Sequence, residues 1–392
     1  MNGLPDVRAI VEAVRRDGDA ALRRYAREFG DPPPRRVGIE ELRAAYERID
    51  QQVAQALERT RERIERFARA QRAALSDIEI ETGDAICGHR AIPVRSAGIY
   101  VPGGRHPLPS SLLMGVAPAR VAGVERIVVV SPSLANELLA AAHVAGVQEM
   151  YVAGGAQAIA ALAYGSETVA PVDLIAGPGN AYVTAAKREV YGICGIDALA
   201  GPSEVMVVAS DDADPRVIAA DLLAQAEHDM EARTTLIAQT PQLAAAVMTE
   251  MTAQLSGLAT AETARAAVQR HGETIVASLD EAVGIANRRA PEHLELHGSG
   301  AVARWRECTQ YGALFVGAGC AEVLGDYGAG PNHVLPTGGS ARFSAGLSVF
   351  TFLNVRTYMR GAGSASQLVR DAQTLASVEG LDAHRAAAAM RA

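Results

Sequence analysis

The sequence predicts an α/β protein built from two Rossmann-like parallel-sheet domains, with N-terminal helices and a C-terminal helical arm. Short β-rich runs alternate with Ala-rich helical segments through the middle of the chain, which is the pattern of βα units. Aromatic residues make up only 4% of the chain, and this favours helix-rich α/β packing over a β-sandwich. Both ends of the chain carry apolar residues at helical spacing.

Residues 4–75 show helical spacing without strand-like alternation, so two long helices are predicted on either side of the breaker stretch GDPPPRRVG at 30–38. From about residue 97 the period changes. A first block contains four β-rich runs, each followed by a Gly/Pro turn and a helical segment: GIYV (98–101), RIVVVS (126–131), EMYVA (149–153) and DLIAG (173–177).

A second block repeats the pattern with EVMVVA (204–209), TTLIAQ (234–239), ETIVA (273–277) and ALFVG (313–317). Helices are predicted in this block at 213–229, 241–256, 260–270 and 279–290. A Gly/Ser-rich loop follows at 338–350, and helices end the chain at 364–391. The predicted division is a helical part over 1–95, α/β domains over 96–200 and 201–345, and an arm over 346–392.

Charge and composition argue against several classes of function. The net charge is −8 and no basic face with stacking aromatics is visible, so no nucleic-acid partner is expected. The Arg-rich stretch 58–72 alternates with Glu at helical spacing and is interpreted as a solvated helix face. Without a signal peptide or a long apolar run, a soluble cytoplasmic protein with no membrane contact is expected. Four isolated cysteines fit reduced thiols: Cys87, Cys194, Cys308 and Cys320.

The nine histidines indicate where a site could form. Gln225 and His228 are three apart on a predicted helix, so they share a face and can converge on one metal ion. Asp221, one turn earlier, could support them as an acceptor. On spacing alone, an ordinary amphipathic helix with a polar end remains an alternative. Five histidines lack acidic or amide neighbours at such spacing and are interpreted as surface or turn residues: His89, His106, His143, His271 and His297.

Two further segments carry candidate chemistry. Glu292 and His293 are the side-chain types most used for proton transfer, although a Pro followed by Glu also fits the first turn of a helix. In GDYGAGPNHVLPT (325–337), Asp326, Asn332 and His333 crowd among glycines and prolines. A simple turn does not need these three together, so this loop indicates a site.

Three glycine-rich turns follow predicted strands: VPGG at 101–104, GGAQA at 154–158 and GPGN at 177–180. Each offers backbone N–H groups, and a helix N-terminus, to an anionic ligand. None matches G-x-G-x-x-G, so a dinucleotide would bind without the usual Rossmann fingerprint. Turns of this kind after successive strands predict one ligand-binding edge of one sheet.

Taken together, the segments resemble the histidinol dehydrogenase family. The matching stretches occur in family order from residue 98 onward: GIYVPGG, PSSLLMGVAPARVAGV, GGAQAIAALAYG, GPGNAYVTAAKREVYG, GIDALAGPSEV, ADLLAQAEHD, APEHLEL, GDYGAGPNHVLPTGG and EGLDAH. The resemblance implies a two-step, NAD-dependent oxidation of L-histidinol through L-histidinal to L-histidine. It also implies one zinc ion per subunit, held by Gln225, His228, Asp326 and His384.

The resemblance further implies roles for individual residues. Glu292 would activate water and His293 would act as general base. Substrate contacts are implied for Ser203, His333 and Glu379, as well as for His293 and the four metal ligands. NAD contacts are implied for Tyr100, Gln157 and Asn180, which lie in or beside the three glycine turns. The family is a homodimer with an exchanged C-terminal segment, so Glu379 and His384 would complete the neighbour's site.

Arg105–His106 is unusual for the family and lies on the expected nucleotide side, where it could alter cofactor affinity. Cys308 and Cys320 lie outside the matched catalytic segments and are interpreted as structural. Two alternatives stand beside the main hypothesis. One is a paralogue that oxidises another small alcohol, and the other is a catalytically silent protein that binds histidine or a nucleotide.

Overall fold

This computed structural model describes residues 6–83, 85–103, 107–361 and 366–391. Arg105 and His106 lie outside the described residues. The helices are α1 (Arg8–Asp17), α2 (Asp19–Phe29), α3 (Ile39–Arg48), α4 (Gln51–Ala73), α5 (Pro109–Ala122), α6 (Asn136–Val144), α7 (Gly155–Tyr164), α8 (Ala181–Val190), α9 (Pro215–Ala226), α10 (Pro241–Leu255), α11 (Ala261–His271), α12 (Leu279–Arg289), α13 (Ser299–Ala303), α14 (Glu322–Asp326), α15 (Gln367–Val378) and α16 (Asp382–Ala389). The strands are β1 (Arg35–Val37), β2 (Ile78–Glu81), β3 (Ile86–Pro93), β4 (Ser96–Tyr100), β5 (Arg126–Ser131), β6 (Glu149–Val152), β7 (Leu174–Ala176), β8 (Gly195–Ile196), β9 (Glu204–Ala209), β10 (Arg233–Ala238), β11 (Glu273–Val276), β12 (His293–His297), β13 (Ala313–Val316) and β14 (Leu353–Arg360).

The first sheet has the strand order β1-β6-β5-β4-β7-β8. Its strands are parallel except for the edge strand β1, which runs antiparallel to β6. From β4 the chain builds β5 and β6 on one side and then β7 and β8 on the other. The strand order therefore reverses between β4 and β7, where open α/β sheets form a ligand crevice at their carboxyl edge.

Helices cover both faces of this sheet because its strands are apolar on both faces. In β5, Val129 packs into one core, and Val128 and Val130 pack into the other. The first core lies under α3, α4, α5 and α6, and the second under α1, α2, α7 and α8.

The second sheet has the order β11-β10-β9-β12-β13 and is parallel throughout. Its order reverses between β9 and β12. Its helices begin at recognisable caps. Asp214 accepts a hydrogen bond from the backbone N–H of Arg216 at the start of α9, and Ser278 and Glu281 form a capping box on α12.

The structure confirms the α/β fold class and the eight β-rich runs. The prediction of two long helices and no strand for residues 4–75 is wrong: the described residues of this range form four helices, α1 to α4, and β1 lies within the 30–38 stretch. The strands β2 and β3 pair with β14 in a third sheet, so the segment predicted as a helical arm contains a strand. β1 and β2 are short, β2 and β14 are largely exposed, and the apolar residues of β3 are interrupted by Gly, His and Arg, so none of the four shows the apolar run by which the others were predicted. The domain boundaries stay a prediction.

Across the part of the chain that the structure describes, every helix is too short or too polar to traverse a lipid bilayer.

A buried ion pair fixes the turn that follows β7. Lys187 Nζ lies 2.5 Å from Asp197 Oδ1 and donates to the carbonyl oxygen of Gly177 at 2.6 Å. Asp197 Oδ2 accepts from the N–H of Gly177 at 2.8 Å. Gly177 has a φ of 117°, and a Cβ there would collide with the backbone of Tyr100, so only glycine fits. The pair therefore holds this turn against the end of β4.

Replacing Lys187 with Met is expected to lower the free energy of unfolding by about 3 kcal/mol, because the Asp197 carboxylate would stay buried without its counter-charge. Denaturant unfolding measures the change. The double variant Lys187→Met/Asp197→Asn is the control, since Asn keeps an acceptor for Gly177 N–H without the charge. It is expected to recover most of the loss, and a double variant as unstable as the single one would contradict this explanation.

Candidate active site

Glu292 and His293 lie at the amino end of a central strand of the second sheet and not on a helix. Ala290, with φ 49°, ends α12 in the left-handed region, and Pro291 then leads the chain into β12. The helical alternative for this segment is therefore wrong. The residues of β12, HLELH, alternate polar and apolar as in a strand, although the run has only five residues.

The alternation separates two faces of β12. Leu294 and Leu296 pack into the core beside α12. His293, Glu295 and His297 share the other face, and all three are buried. The interpretation of His297 as a surface or turn histidine is wrong: it is 1% exposed and contacts Glu295 and Asp221. Its acidic partners are not sequence neighbours at helical spacing, and the strand and a distant helix bring them together.

Glu292 is held by the neighbouring strand. Its Oε2 accepts a hydrogen bond from the backbone N–H of Glu204, the first residue of β9, at 2.9 Å. Burial raises the pKa of the Glu292 carboxyl well above its usual range. A carboxyl with a raised pKa can exchange a proton near neutral pH, as general acid–base catalysis requires.

His293 is also held at one side of its ring. Nδ1 lies 3.2 Å from the carbonyl oxygen of Glu204 and 3.1 Å from the side-chain amide of Gln225. Among the residues that the structure describes, Nε2 has no hydrogen-bond partner. Burial lowers the pKa of His293 to about 3, so the ring is neutral and can accept a proton.

A cluster of metal-binding side chains lies beside this pair. His228, Glu322 and Asp326 each offer a ligand atom, and these atoms lie within 4.8 Å of one another. His228 Nε2 is 3.7 Å from Asp326 Oδ2 and 3.8 Å from Glu322 Oε1. Zinc bonds of about 2.0–2.2 Å place neighbouring ligand atoms about 3.3 Å apart, so small side-chain shifts would close this group on an ion.

The charge of the cluster also fits a divalent cation. Burial raises the pKa of Asp326 to about 7 and that of Glu322 well above its usual range, and nearby carboxylates add to the shift at Glu322. A bound cation would offset this repulsion and favour the ionised carboxylates. Gln225 lies alongside, with one side-chain amide atom 3.0 Å from Glu322 Oε2 and 3.1 Å from His293 Nδ1.

Glu322 is a site residue that was not predicted from the sequence. It precedes Asp326 by four residues in EVLGD, a spacing that places both carboxylates on one face of α14. That spacing was the available signal. Glu204 was missed as well, but its contribution comes mainly from backbone groups, which sequence patterns do not reveal.

The loop around Asp326 is fixed by close contacts. Arg63 Nε on α4 donates to the carbonyl oxygen of Gly328 at 2.7 Å. His333 Nδ1 lies 2.9 Å from the carbonyl oxygen of Asp326, and His333 Nε2 lies 3.0 Å from Ser111 Oγ at the start of α5. The loop therefore spans from the second sheet to a helix of the first.

Ser203 directly precedes Glu204, so it lies at the same amino edge of the second sheet. Glu379 and His384 lie elsewhere. Both are exposed, at the end of α15 and on α16, and neither side chain contacts the other site residues of the described chain. Their predicted place in a neighbouring subunit's site stays a prediction.

The residues predicted to bind the nucleotide gather at the carboxyl edge of the first sheet. Tyr100 ends β4, and its hydroxyl oxygen accepts from the N–H of Gly155 at 3.1 Å. Gln157 is buried within α7, while the Asn180 side chain caps α8 by accepting from Tyr182 and Val183. Each has a structural role, and its contact with NAD stays a prediction. The turns after β4, β6 and β7 share one edge, as predicted.

This edge faces the amino edge of the second sheet. The contact of Ser111 with His333 is one link, and Thr184 on α8 provides another by donating to the carbonyl oxygen of Ala200 at 2.9 Å. Both α5 and α8 begin where a strand of the first sheet ends. The cluster around His293 and the glycine turns therefore lie on neighbouring edges of the two sheets.

All four cysteines are free thiols. Cys308 is buried, and burial raises the pKa of its thiol, which disfavours the nucleophilic thiolate. Cys320 is exposed, two residues before Glu322. The structure holds neither thiol in contact with Glu292 or His293.

The comparisons with known proteins agree with this geometry. The family model described as histidinol dehydrogenase matches residues 2–392. This chain belongs to the histidinol dehydrogenase family. It is 46% identical to histidinol dehydrogenase of Thermus thermophilus over 380 residues, covering 96% of this chain and 92% of that protein. With the enzyme of Agrobacterium fabrum the identity is 47% over 98% of this chain and 91% of that protein.

A solved structure shows the same fold. The crystal structure of histidinol dehydrogenase from Elizabethkingia anophelis matches with a TM-score of 0.94 at 32% identity, covering 100% of this chain and 93% of that one. The chain is therefore an oxidoreductase of the histidinol dehydrogenase family.

Adding a methyl group at Gly325 is expected to weaken metal binding. A Cβ there would meet two ring atoms of Phe315 at 2.9 Å, so Gly325→Ala must shift α14 and the two carboxylates on it. We expect the zinc dissociation constant to rise about tenfold, as for other changes that misplace ligands. Competition with a chromophoric chelator measures it.

The matched control is Gly319→Ala, in the turn that precedes α14, where a Cβ would meet nothing within 4 Å. This variant is expected to keep the zinc affinity of the unaltered chain. Equal zinc affinities for the two variants would show that the position of α14 does not control metal binding.

Proposed function

We propose that this chain oxidises L-histidinol through L-histidinal to L-histidine with two molecules of NAD⁺. The observation that carries the proposal is the buried pair Glu292 and His293 beside the group of His228, Glu322 and Asp326, in a member of this family. Two successive oxidations at one carbon need a proton acceptor for each alcohol group and water addition in between. Two adjacent proton-transfer groups meet that need.

Zinc is the proposed metal, with one ion per subunit. Gln225, His228 and Asp326 would hold it together with His384 of the partner subunit, and the donors are the mixed nitrogen and oxygen atoms that zinc accepts. The bound ion would orient the substrate through its amine and imidazole. The side-chain amide of Gln225 lies 3.0 Å from Glu322 Oε2, beside the group of ligand atoms, which supports this assignment.

His293 is the proposed general base. Its Nδ1 lies 3.2 Å from the carbonyl oxygen of Glu204, which accepts the ring N–H. That tautomer leaves Nε2 free of a proton, so Nε2 can accept the hydroxyl proton while the hydride leaves for NAD⁺. After water adds to the aldehyde, the same nitrogen would take a proton from the gem-diol in the second oxidation. The substrate side of the site would be completed by Ser203, His333 and the partner subunit's Glu379.

Glu292 is proposed to activate the water that adds to the aldehyde. Its carboxyl is anchored through one oxygen to the N–H of Glu204. The second oxygen is left to take a proton from water, and the raised pKa makes the protonated product accessible near neutral pH.

The proposed NAD site is the carboxyl edge of the first sheet, near Tyr100, Gln157 and Asn180. The crevice between β4 and β7 lies at the reversal of strand order, where dinucleotides bind in related architectures. The helix N-termini that follow the glycine turns offer N–H groups to the pyrophosphate.

The proposed assembly is a homodimer with a shared site. The terminal helices expose Val378 (81%) and Met390 (87%) along with Leu375, which is unusual for the surface of a lone subunit. A partner subunit would cover these side chains and receive His384 and Glu379.

Purified, zinc-loaded protein is expected to reduce two molecules of NAD⁺ per L-histidinol, followed by absorbance of NADH and by quantifying histidine. His293→Asn is expected to keep zinc and substrate binding and to lose at least about a hundredfold in kcat, because the base is gone. Turnover of another small alcohol, with no activity toward L-histidinol, would overturn the proposed substrate.

Mixing two inactive variants tests the shared site. His384→Asn is expected to weaken zinc binding, and His293→Asn to remove the base. In a heterodimer of the two, one site keeps both native residues and the other lacks both. Random reassociation should therefore recover about a quarter of the native activity. The control is each variant reassociated with itself, and no recovery in confirmed heterodimers would contradict the exchange.

A further inference from the structure

A second group of buried ionisable side chains lies behind the site residues. Asp221, Glu295 and His297 are 9%, 0% and 1% exposed. His297 Nε2 lies 3.2 Å from Glu295 Oε2 and 3.4 Å from Asp221 Oδ2. We call these three residues the inner cluster. None of them has a role in the function proposed above.

Three elements that carry site residues also carry or contact the inner cluster: α9, β12 and α14. Asp221 lies one turn before Gln225 on α9. Glu295 and His297 follow His293 on the same face of β12. Glu295 Oε1 accepts the backbone N–H of Glu322 at 2.7 Å, at the first residue of α14. The inner cluster thus joins α9, β12 and α14 at one buried point.

Stability alone does not account for the inner cluster. Burying ionisable groups is costly, and apolar side chains of similar volume are often neutral or stabilising in their place. The opposite face of the same strand carries Leu294 and Leu296, so the sheet accommodates apolar residues. Within the described chain, His297 Nδ1 and Asp221 Oδ2 have no hydrogen-bond partner, so the group is not fully satisfied. Buried groups that lower stability in this way are typical of functional sites.

We propose that Asp221, Glu295 and His297 are positioning residues that set the relative placement of the metal ligands on α9 and α14 and the base on β12. Glu295 fixes the start of α14, and with it the distance of Asp326 from His228. His297 Nε2 lies 3.4 Å from Asp221 Oδ2, an ionic contact that draws α9 toward the strand, and with it Gln225 toward His293. The proposal rests on the zinc-dependent function proposed above.

The test compares two substitutions of Glu295. Glu295→Gln keeps an oxygen that accepts from Glu322 N–H, whereas Glu295→Met fills similar volume without it. In Glu295→Met we expect the zinc dissociation constant to rise about 10- to 100-fold, as for other residues that orient metal ligands. We also expect KM for L-histidinol to rise more than kcat falls. Glu295→Gln should restore zinc affinity and KM close to those of the unaltered protein.

The control is Leu296→Ala, a fully buried residue on the opposite face of the same strand. It is expected to lower the thermal midpoint while leaving zinc affinity and KM unchanged. The comparison is made at an equal drop in thermal midpoint. If Leu296→Ala then weakened zinc binding as much as Glu295→Met does, the inner cluster would have only a structural role.

If Glu295→Met yields no folded protein, the isosteric Asp221→Asn replaces it, with an expected rise of about tenfold in the zinc dissociation constant. An unchanged zinc affinity in that variant would overturn the proposal.

The inner cluster could instead hold a metal ion of its own, and the zinc content of the unaltered protein tests this alternative. One zinc ion per chain is expected if the inner cluster only positions other residues. A second ion that disappears in Asp221→Asn would overturn the positioning role and make the inner cluster a metal site. Zinc affinity is measured without turnover. A protein that binds zinc but does not oxidise L-histidinol would therefore contradict the proposed function and leave the positioning test intact.

Discussion

The polar face of β12 is the constraint on which the site depends. The strand is hydrogen-bonded to β9 on one side and to β13 on the other, so its register is fixed in both directions. A shift by one residue would exchange the faces, bringing Leu294 and Leu296 against α9 and driving His293 into the apolar core. The two leucines together therefore set which face of the strand is buried against α12, and truncating one of them leaves the other to keep the same register. Hydrophobic burial on one face thus determines which side chains line the other.

The direction of the helices explains why ligands from distant segments meet at this strand. In a parallel sheet each connecting helix runs back against the strands, so α9 ends at the edge where β9 and β12 begin. Gln225 occupies that end of α9 and His228 lies in the turn just beyond it, beside Glu292 and His293. The carboxylates of α14 reach the same place because Glu295 holds the first N–H of that helix. Unpaired with a cation, these acids have raised pKa values, so the arrangement favours binding of a positive ion.

Strands and helices that show a clear pattern of apolar residues could be predicted from the sequence alone. β5 and β9 are continuous apolar runs between turns, and both were predicted. β12 was missed because three of its five side chains are polar, and because Pro291 before it also suits a helix start. Residue type made Glu292 and His293 candidates, but only the family resemblance gave them separate roles, since spacing does not show that β9 supplies the N–H for one and the carbonyl for the other. Glu322 was missed although it shares a helix face with Asp326. The missing information was tertiary: partners that lie far apart in the chain.

The first sheet borders the candidate site with its carboxyl edge and the second sheet with its amino edge. Hydrogen bonds at the carboxyl edge of the second sheet explain why. Both sheets reverse their strand order, so each has a crevice at its carboxyl edge. In the first sheet that crevice is bordered by glycine turns. In the second, between β9 and β12, the chain fills it: Asp212 accepts the N–H of Ser299 at 2.8 Å, and Ser210 Oγ accepts that of Gly300 at 3.1 Å. The carboxylate of Asp212 thus takes the place at the start of α13 that an anionic ligand would occupy. With that edge closed, the amino edge of the second sheet is the one that meets the open carboxyl edge of the first. Ligands bound at these two edges would then lie close to each other, as a reaction between two bound molecules requires.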